Sequence, residues 1–210
     1  MIMLASVNTF ILIVLPLIST ASSGSSFNQI DQGVHHKLKT IAVVAGLNTE
    51  INQLAAELMT ETLTKNNLFQ VVPSHKVTLM VQDFPGNIRG PYTSAYFGIQ
   101  EDYSNTDATK IKGIQKKLGV DYLYVLWAPS STGSFGSRTL HLIGQLFEGP
   151  ESEKIYGDSF DSTARSGFSC LFFSKTPSGE KQLQALKETC EEIAGDIAEK
   201  TGTFTGKVRN

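Results

Sequence analysis

The segment Thr40-Ile41-Ala42-Val43-Val44-Ala45 constrains the fold more than any other stretch of this chain. After Leu38 and Lys39 it is nearly all apolar, with no alternating polar residue to supply a wet face. A strand of that kind has to lie at the centre of a sheet, buried on both faces. Gly46 breaks it, and Asn48 or Thr49 can cap a helix whose apolar positions Ile51, Leu54, Ala55, Leu58 and Thr62 share one face before Asn66-Asn67 ends it. Phe69-Gln70-Val71-Val72 reads as the second strand, so the chain opens as a strand–helix–strand unit. Pro73-Ser74 begins a short helix through Val77, Met80 and Val81, with Ser74 as its cap.

From 84 to 107 the residues change to Pro, Gly, Asn, Tyr and Ser without a period of 2 or 3.6, which predicts one long loop with room for a hairpin turn around Asn87 and Gly90. A lysine-studded helix then runs from Asp107 to a stop at Gly119. Residues 120–127, Val-Asp-Tyr-Leu-Tyr-Val-Leu-Trp, form the strongest strand pattern in the chain. A Gly/Ser turn over 130–137, a strand over 138–147, the Gly149-Pro150 turn and a strand over 154–161 extend it into an antiparallel meander. After an apolar strand at 168–173, Ser178 opens a helix in which Leu183, Leu186, Cys190, Ile193 and Ile197 make one stripe to lie on a sheet. The expected class is α/β: a mixed sheet in two or three layers with a βαβ start, an antiparallel meander and a carboxy-terminal packing helix.

Residues 1–26 read as a signal peptide: the apolar run at 10–18 gives way to small residues that include Ser19 and Ala21. The run is short for a membrane span. No Lys or Arg lies in residues 1–9, so an uncleaved membrane anchor is the alternative. A linker over 27–37, one domain over 38–202 and a flexible tail over 203–210 complete the organisation. Export predicts a periplasmic or otherwise extracytoplasmic location, where Cys170 and Cys190 could form a disulfide; closing a loop of about 20 residues stabilises by about 3 kcal/mol on the chain-entropy account. Two buried thiols that never meet are the other outcome. Lys and Arg number 18 against 20 Asp and Glu, which leaves no positive field for nucleic acid. With 40% hydrophobic residues, the part after the leader is rich enough to fold unaided.

The order of elements resembles the amino-terminal domain of TolB and its relatives among the curli-secretion and penicillin-binding-protein-activator lipoproteins. The likeness is carried by Thr40-Ile41-Ala42-Val43-Val44, by Leu68-Phe69-Gln70-Val71-Val72-Pro73-Ser74 and by Leu118-Gly119-Val120-Asp121-Tyr122-Leu123-Tyr124-Val125. It implies an envelope domain that acts by protein contact and not by catalysis. The chain departs from those families in having no cysteine near the leader to carry a lipid, no propeller and no long amphipathic strand pairs.

Candidate chemistry is sparse. Ser178 and Lys181 have the S-x-x-K spacing of serine acyl-enzymes, but Ser178 also stands where a helix needs its cap. His35 and His36 are adjacent and would point to opposite faces of a strand; His75 and His141 are isolated. Asp158 and Asp161 could share acid–base work only in a cleft that separates their pKa values. No motif calls for a cofactor or a metal. The loop 84–103 is the segment with binding character: Arg89, Tyr92, Tyr96, Phe97 and Tyr103 are of the types enriched in protein interfaces. The expectation is a non-catalytic accessory or scaffold domain that binds another cell-envelope protein. A small hydrolase and a homo-oligomer subunit are the alternatives, and membrane contact follows only from an uncleaved leader.

Overall fold

The apolar run forms a strand covered on both sides. A computed structural model of the chain describes residues 38–90, 92–95, 98–101, 106–134, 136–166 and 177–203. The leader, the linker, His35, His36, Tyr96, Phe97, Tyr103, the strand expected at 168–173 with Cys170, and residues 204–210 lie outside the described residues.

The elements in chain order are β1 (Thr40–Ala45), α1 (Glu50–Asn66), β2 (Gln70–Val71), α2 (Ser74–Met80), a 3-10 turn (Val81–Asp83), β3 (Tyr92–Ala95), β4 (Gly98–Glu101), α3 (Ala108–Leu118), β5 (Tyr122–Ser134), β6 (Ser137–Glu148), β7 (Glu153–Arg165) and α4 (Gly179–Lys200). Five strands make one mixed sheet in the order β2-β1-β5-β6-β7. β1 is parallel to β2 and β5, while β5, β6 and β7 form the antiparallel meander. β1 therefore has a hydrogen-bonded neighbour on each edge, and its residues 41–44 are buried.

Helices cover both faces. On one, Ile41, Val43, Tyr122, Tyr124, Leu126, Leu142 and Phe160 pack with α1 and with the α4 stripe Leu186, Cys190, Ile193 and Ile197. On the other, Ala42, Val44, Leu123, Val125, Trp127 and Ile143 meet Val77 of α2, Ile111 and Ile114 of α3, and Ile88. This is the expected mixed α/β fold in its three-layer form.

The caps follow the chemistry of their residues. Thr49 accepts from Asn52 N at the start of α1, Asp107 from Lys110 N at the start of α3, and Ser178 from Lys181 N at the start of α4. Gly119 ends α3 at φ 64°, the left-handed stop that glycine adopts without strain.

Four local expectations are corrected. The Gly/Ser stretch at 130–134 is strand and not turn: β6 goes on pairing past a register shift between Trp127 and Ser130, and the turn falls between Ser134 and Ser137. The hairpin near Asn87 and Gly90 is instead the β3–β4 pair, which turns between Ala95 and Gly98. The cap position of α2 is Pro73, with Ser74 as the first helical residue. Of the five positions expected on the buried face of α1, Ala55, Leu58 and Thr62 are buried, together with Asn52, Ala56, Met59, Thr60 and Leu63, while Ile51 and Leu54 are 38% exposed each. In the same first turn Asn52 faces inward and bonds β5.

Candidate functional site

The segment 84–107, expected as one loop, is two structures. Its first part is fastened to the body. Lys110 Nζ donates to the carbonyls of Pro85, Gly86 and Asn87 at 2.7, 3.1 and 3.1 Å. Asn48 N donates to Asn87 Oδ1 at 2.7 Å. Ile88 is buried, its N–H donating to Gly46 O at 2.8 Å and its carbonyl accepting from Trp127 Nε1 at 3.0 Å. The Trp127 indole lies so close to Gly46 and Gly90 that a Cβ on either would overlap it. Glycine is required at both for lack of space.

The second part is the β3–β4 hairpin, a separate two-stranded sheet in which Tyr92 stands opposite Glu101 and Ala95 opposite Gly98. Asp107 N donates to Arg89 O at 3.0 Å, which brings the two ends of the segment together as its root. Beside that root, Thr106 Oγ1 donates to Oε1 of the fully buried Gln145 at 3.2 Å, and Gln145 Nε2 has no partner among the described residues. Of the interface residues expected from the sequence, Arg89 is exposed at the root and Tyr92 opens β3.

The remaining candidates do not converge. Ser178 Oγ accepts from Lys181 N at 3.4 Å, as a cap does. Asp158 stands opposite Gly144 and Asp161 opposite His141; an odd spacing on one strand turns their side chains to opposite faces of the sheet. His75 is exposed on α2. Among the described residues no group of three His, Cys, Asp or Glu could hold a metal. Cys190 is buried, and burial pushes its thiol up to about 12, so it stays protonated at neutral pH.

One constellation escaped the sequence. His141 Nδ1 meets Asp161 Oδ1 at 2.6 Å, and His141 Nε2 meets Thr132 Oγ1 at 3.2 Å, which joins three strands on one exposed sheet face. Its signal was the meander register: with Ser134 opposite Ser137 and Ser137 opposite Arg165, His141 falls opposite Ser130 and Asp161.

A concavity suited to recognition lies elsewhere. β1 stops at Ala45 opposite Leu126, while β5 runs on to Ser134. Where β1 has ended, Asn52 takes its place: its Oδ1 accepts from Ala128 N at 2.7 Å and its Nδ2 donates to Ala128 O at 3.2 Å. Beyond Asn52 a groove of about 510 Å³ opens between α1, the first turns of α4 and the outer ends of β5, β6 and β7. Leu47, Leu54, Leu140, Ala164, Leu183 and Leu186 supply its apolar lining, and Arg138 is the charged residue on it among the described residues. The exposed Ile51 and Leu54 belong to its α1 bank.

No protein-family profile matches the sequence, and no curated protein matches it. Solved structures do. A hypothetical protein from Chlamydia trachomatis has a TM-score of 0.45 at 11% identity, over 77% of this chain and 99% of that one. A lipoprotein from Neisseria meningitidis has a TM-score of 0.44 at 15% identity, over 77% and 99% of the two chains. The LpoB carboxy-terminal domain from Escherichia coli has a TM-score of 0.35 at 18% identity, over 59% and 81%. A lipoprotein and the LpoB carboxy-terminal domain are thus among the structures to which this chain is similar, at a distance that carries no activity across.

Proposed function

We propose that this chain is an exported accessory domain that docks another cell-envelope protein through the β3–β4 hairpin. The observation that carries the reading is that the hairpin forms a sheet of its own, next to the point where Asp107 N donates to Arg89 O. Two strands alone are marginal in water and gain stability by lying against a further surface. By sequence the segment 84–103 carries Arg89, Tyr92, Tyr96, Phe97 and Tyr103, which are interface-forming types. The leader pattern at 1–26 and the resemblance to envelope lipoproteins support the compartment.

The test is an affinity pull-down from envelope extract with the full chain and with a Tyr92→Ser/Tyr96→Ser variant whose thermal unfolding matches the parent. Capture of a partner by the parent and its loss in the folded variant is expected. Equal capture by both would remove the hairpin from the reading, and capture by neither would remove the docking function. A homo-oligomer is the second reading, favoured by the place of β7 at the end of the sheet order with one edge unpaired among the described residues. Sedimentation of the parent alone, with mass rising with concentration, would favour it.

A further inference from the structure

The groove beside Asn52 has a feature that an ordinary surface depression lacks: one of its walls is an unfinished sheet edge. β5 is paired with β1 at residues 122–126 and with β6 as far as Ser134. Successive residues of a strand direct their N–H and C=O groups to alternate edges, and the one-residue register shift between Trp127 and Ser130 resets that alternation, so that Ser130 and Thr132 turn theirs to β6 while Ser131 and Gly133 turn theirs to the side that β1 has vacated. Among the described residues no hydrogen bond reaches that edge beyond Ala128. At Ala128 itself the partner is a side-chain amide, which makes with one residue the two bonds a peptide strand would make. Asn52 thus shows that the edge accepts an amide, and its short side chain ends the pairing just where the groove begins.

Three properties of the groove define what would continue the pairing. Ser131, at the free edge, lines the same groove as the apolar residues Leu54, Leu140 and Leu183, so a strand lying on that edge would have apolar surface beneath alternate side chains. The one charged lining residue is a cation, Arg138, and no carboxylate lines the groove among the described residues. The amino-terminal turn of α4 forms another bank, and its dipole presents positive charge to the same space. A nucleotide or other polyanion would leave most of the apolar lining unused.

We propose that the outer half of β5 and the groove beside it form a strand-addition site for an extended segment of a partner polypeptide, about five to seven residues long, with apolar side chains at alternate positions and one carboxylate for Arg138. The backbone amides of the edge supply affinity, the leucine-lined groove selects apolar side chains, and Arg138 sets the register by a charge-assisted hydrogen bond. The site is separate from the β3–β4 hairpin, and its occupancy does not depend on that hairpin's role.

The probe is a fluorescein-labelled seven-residue peptide with valine at alternate positions and a central glutamate, titrated with the full chain and followed by anisotropy. Saturable binding is expected, weaker by about tenfold for Arg138→Gln and for a peptide with lysine in place of glutamate. N-methylation of the probe's amides should weaken binding by about tenfold or more, because strand addition needs those donors and a merely apolar contact does not. Thermal unfolding of Arg138→Gln at the parent's temperature shows that any loss is not unfolding. Absence of saturable binding by the parent overturns the proposal. So does binding that survives N-methylation, or competition by decanoate at equal concentration, which would make the groove a site for an anionic amphiphile. Concentration-dependent dimerisation that the probe dissolves would give the edge to a second copy of this chain and overturn the partner assignment. Binding gained only in a Phe172→Ser variant would assign the groove to the chain's own 167–176 segment, with the same consequence.

Discussion

Strand β5 has two halves under different constraints. Over 122–128 every residue is buried, with β6 on one edge and β1, then Asn52, on the other. Over 129–134 the strand keeps β6 but has lost β1, and Ser131, Thr132 and Gly133 are exposed. The first half reads Tyr-Leu-Tyr-Val-Leu-Trp-Ala and the second Pro-Ser-Ser-Thr-Gly-Ser, yet both are strand. The comparison teaches that pairing with one neighbour is enough to hold a polar stretch extended. Burial between helix layers is what makes a stretch intolerant of change, and a surface for a partner can begin on the same element where the core ends.

Four measurements break or sharpen that contrast. The largest effect is expected for Gly144→Ala on β6. A Cβ there would overlap the hydroxyl and ring of the fully buried Tyr124, and urea unfolding should show a loss of about 3 kcal/mol or more, partly recovered when Tyr124→Leu is added. Gly133→Ala in the outer half meets only Ser137 O, at 3.7 Å, and should stay within about 0.5 kcal/mol; equal losses at the two sites would abolish the distinction. Next comes Asn52→Ala, which strips both partners from the Ala128 backbone in a buried place and should cost about 2 kcal/mol in the same assay.

Alkaline titration gives the third. Burial and the neighbouring Glu148 push Tyr122 up to about 12, and burial raises Tyr124 as well. In the unfolded chain these phenols ionise near 10.0, so above that pH the unfolded state binds fewer protons than the folded one. Their contribution is therefore complete below pH 10 and falls as pH rises toward 12, by about 1 kcal/mol per phenol for each pH unit. Urea midpoints across that range, with tyrosinate absorbance as a second readout, should show it; a midpoint flat above pH 10 would contradict burial of the inner half. The smallest effect belongs to the outer half: His141→Ala removes the contacts to Asp161 and Thr132 on an exposed face and should cost about 0.5 kcal/mol.

Much of the architecture could be read from residues 40–45, from the Gly119 stop and from the stripe on α4, because each is a local pattern that admits one environment. The opposite facing of Asp158 and Asp161 was legible too, since a spacing of three on a strand decides it. The Thr132–His141–Asp161 chain was not, because it depends on two registers that follow only once the turns are placed. The groove was hidden for a related reason. Ile51 and Leu54 look like core positions on a helical wheel, yet they line the groove at 38% exposure each, beside Asn52, which faces inward to Ala128.

By itself the amino-acid sequence determined the helices, the apolar strand β1 and the apolar inner half of β5, which strand must be central, and a near-even balance of charge, but not the polar strands β3, β4 and the outer half of β5. Tertiary structure alone decided where β1 stops relative to β5, which amide fills the gap, and that the 84–107 segment divides into a fastened root and a separate hairpin. The physical reason is range: propensity, capping and periodicity act within a few residues of chain. The edge of β5 and the root at Arg89 and Asp107 are made by residues 18 or more positions apart, whose meeting depends on how every intervening element packs.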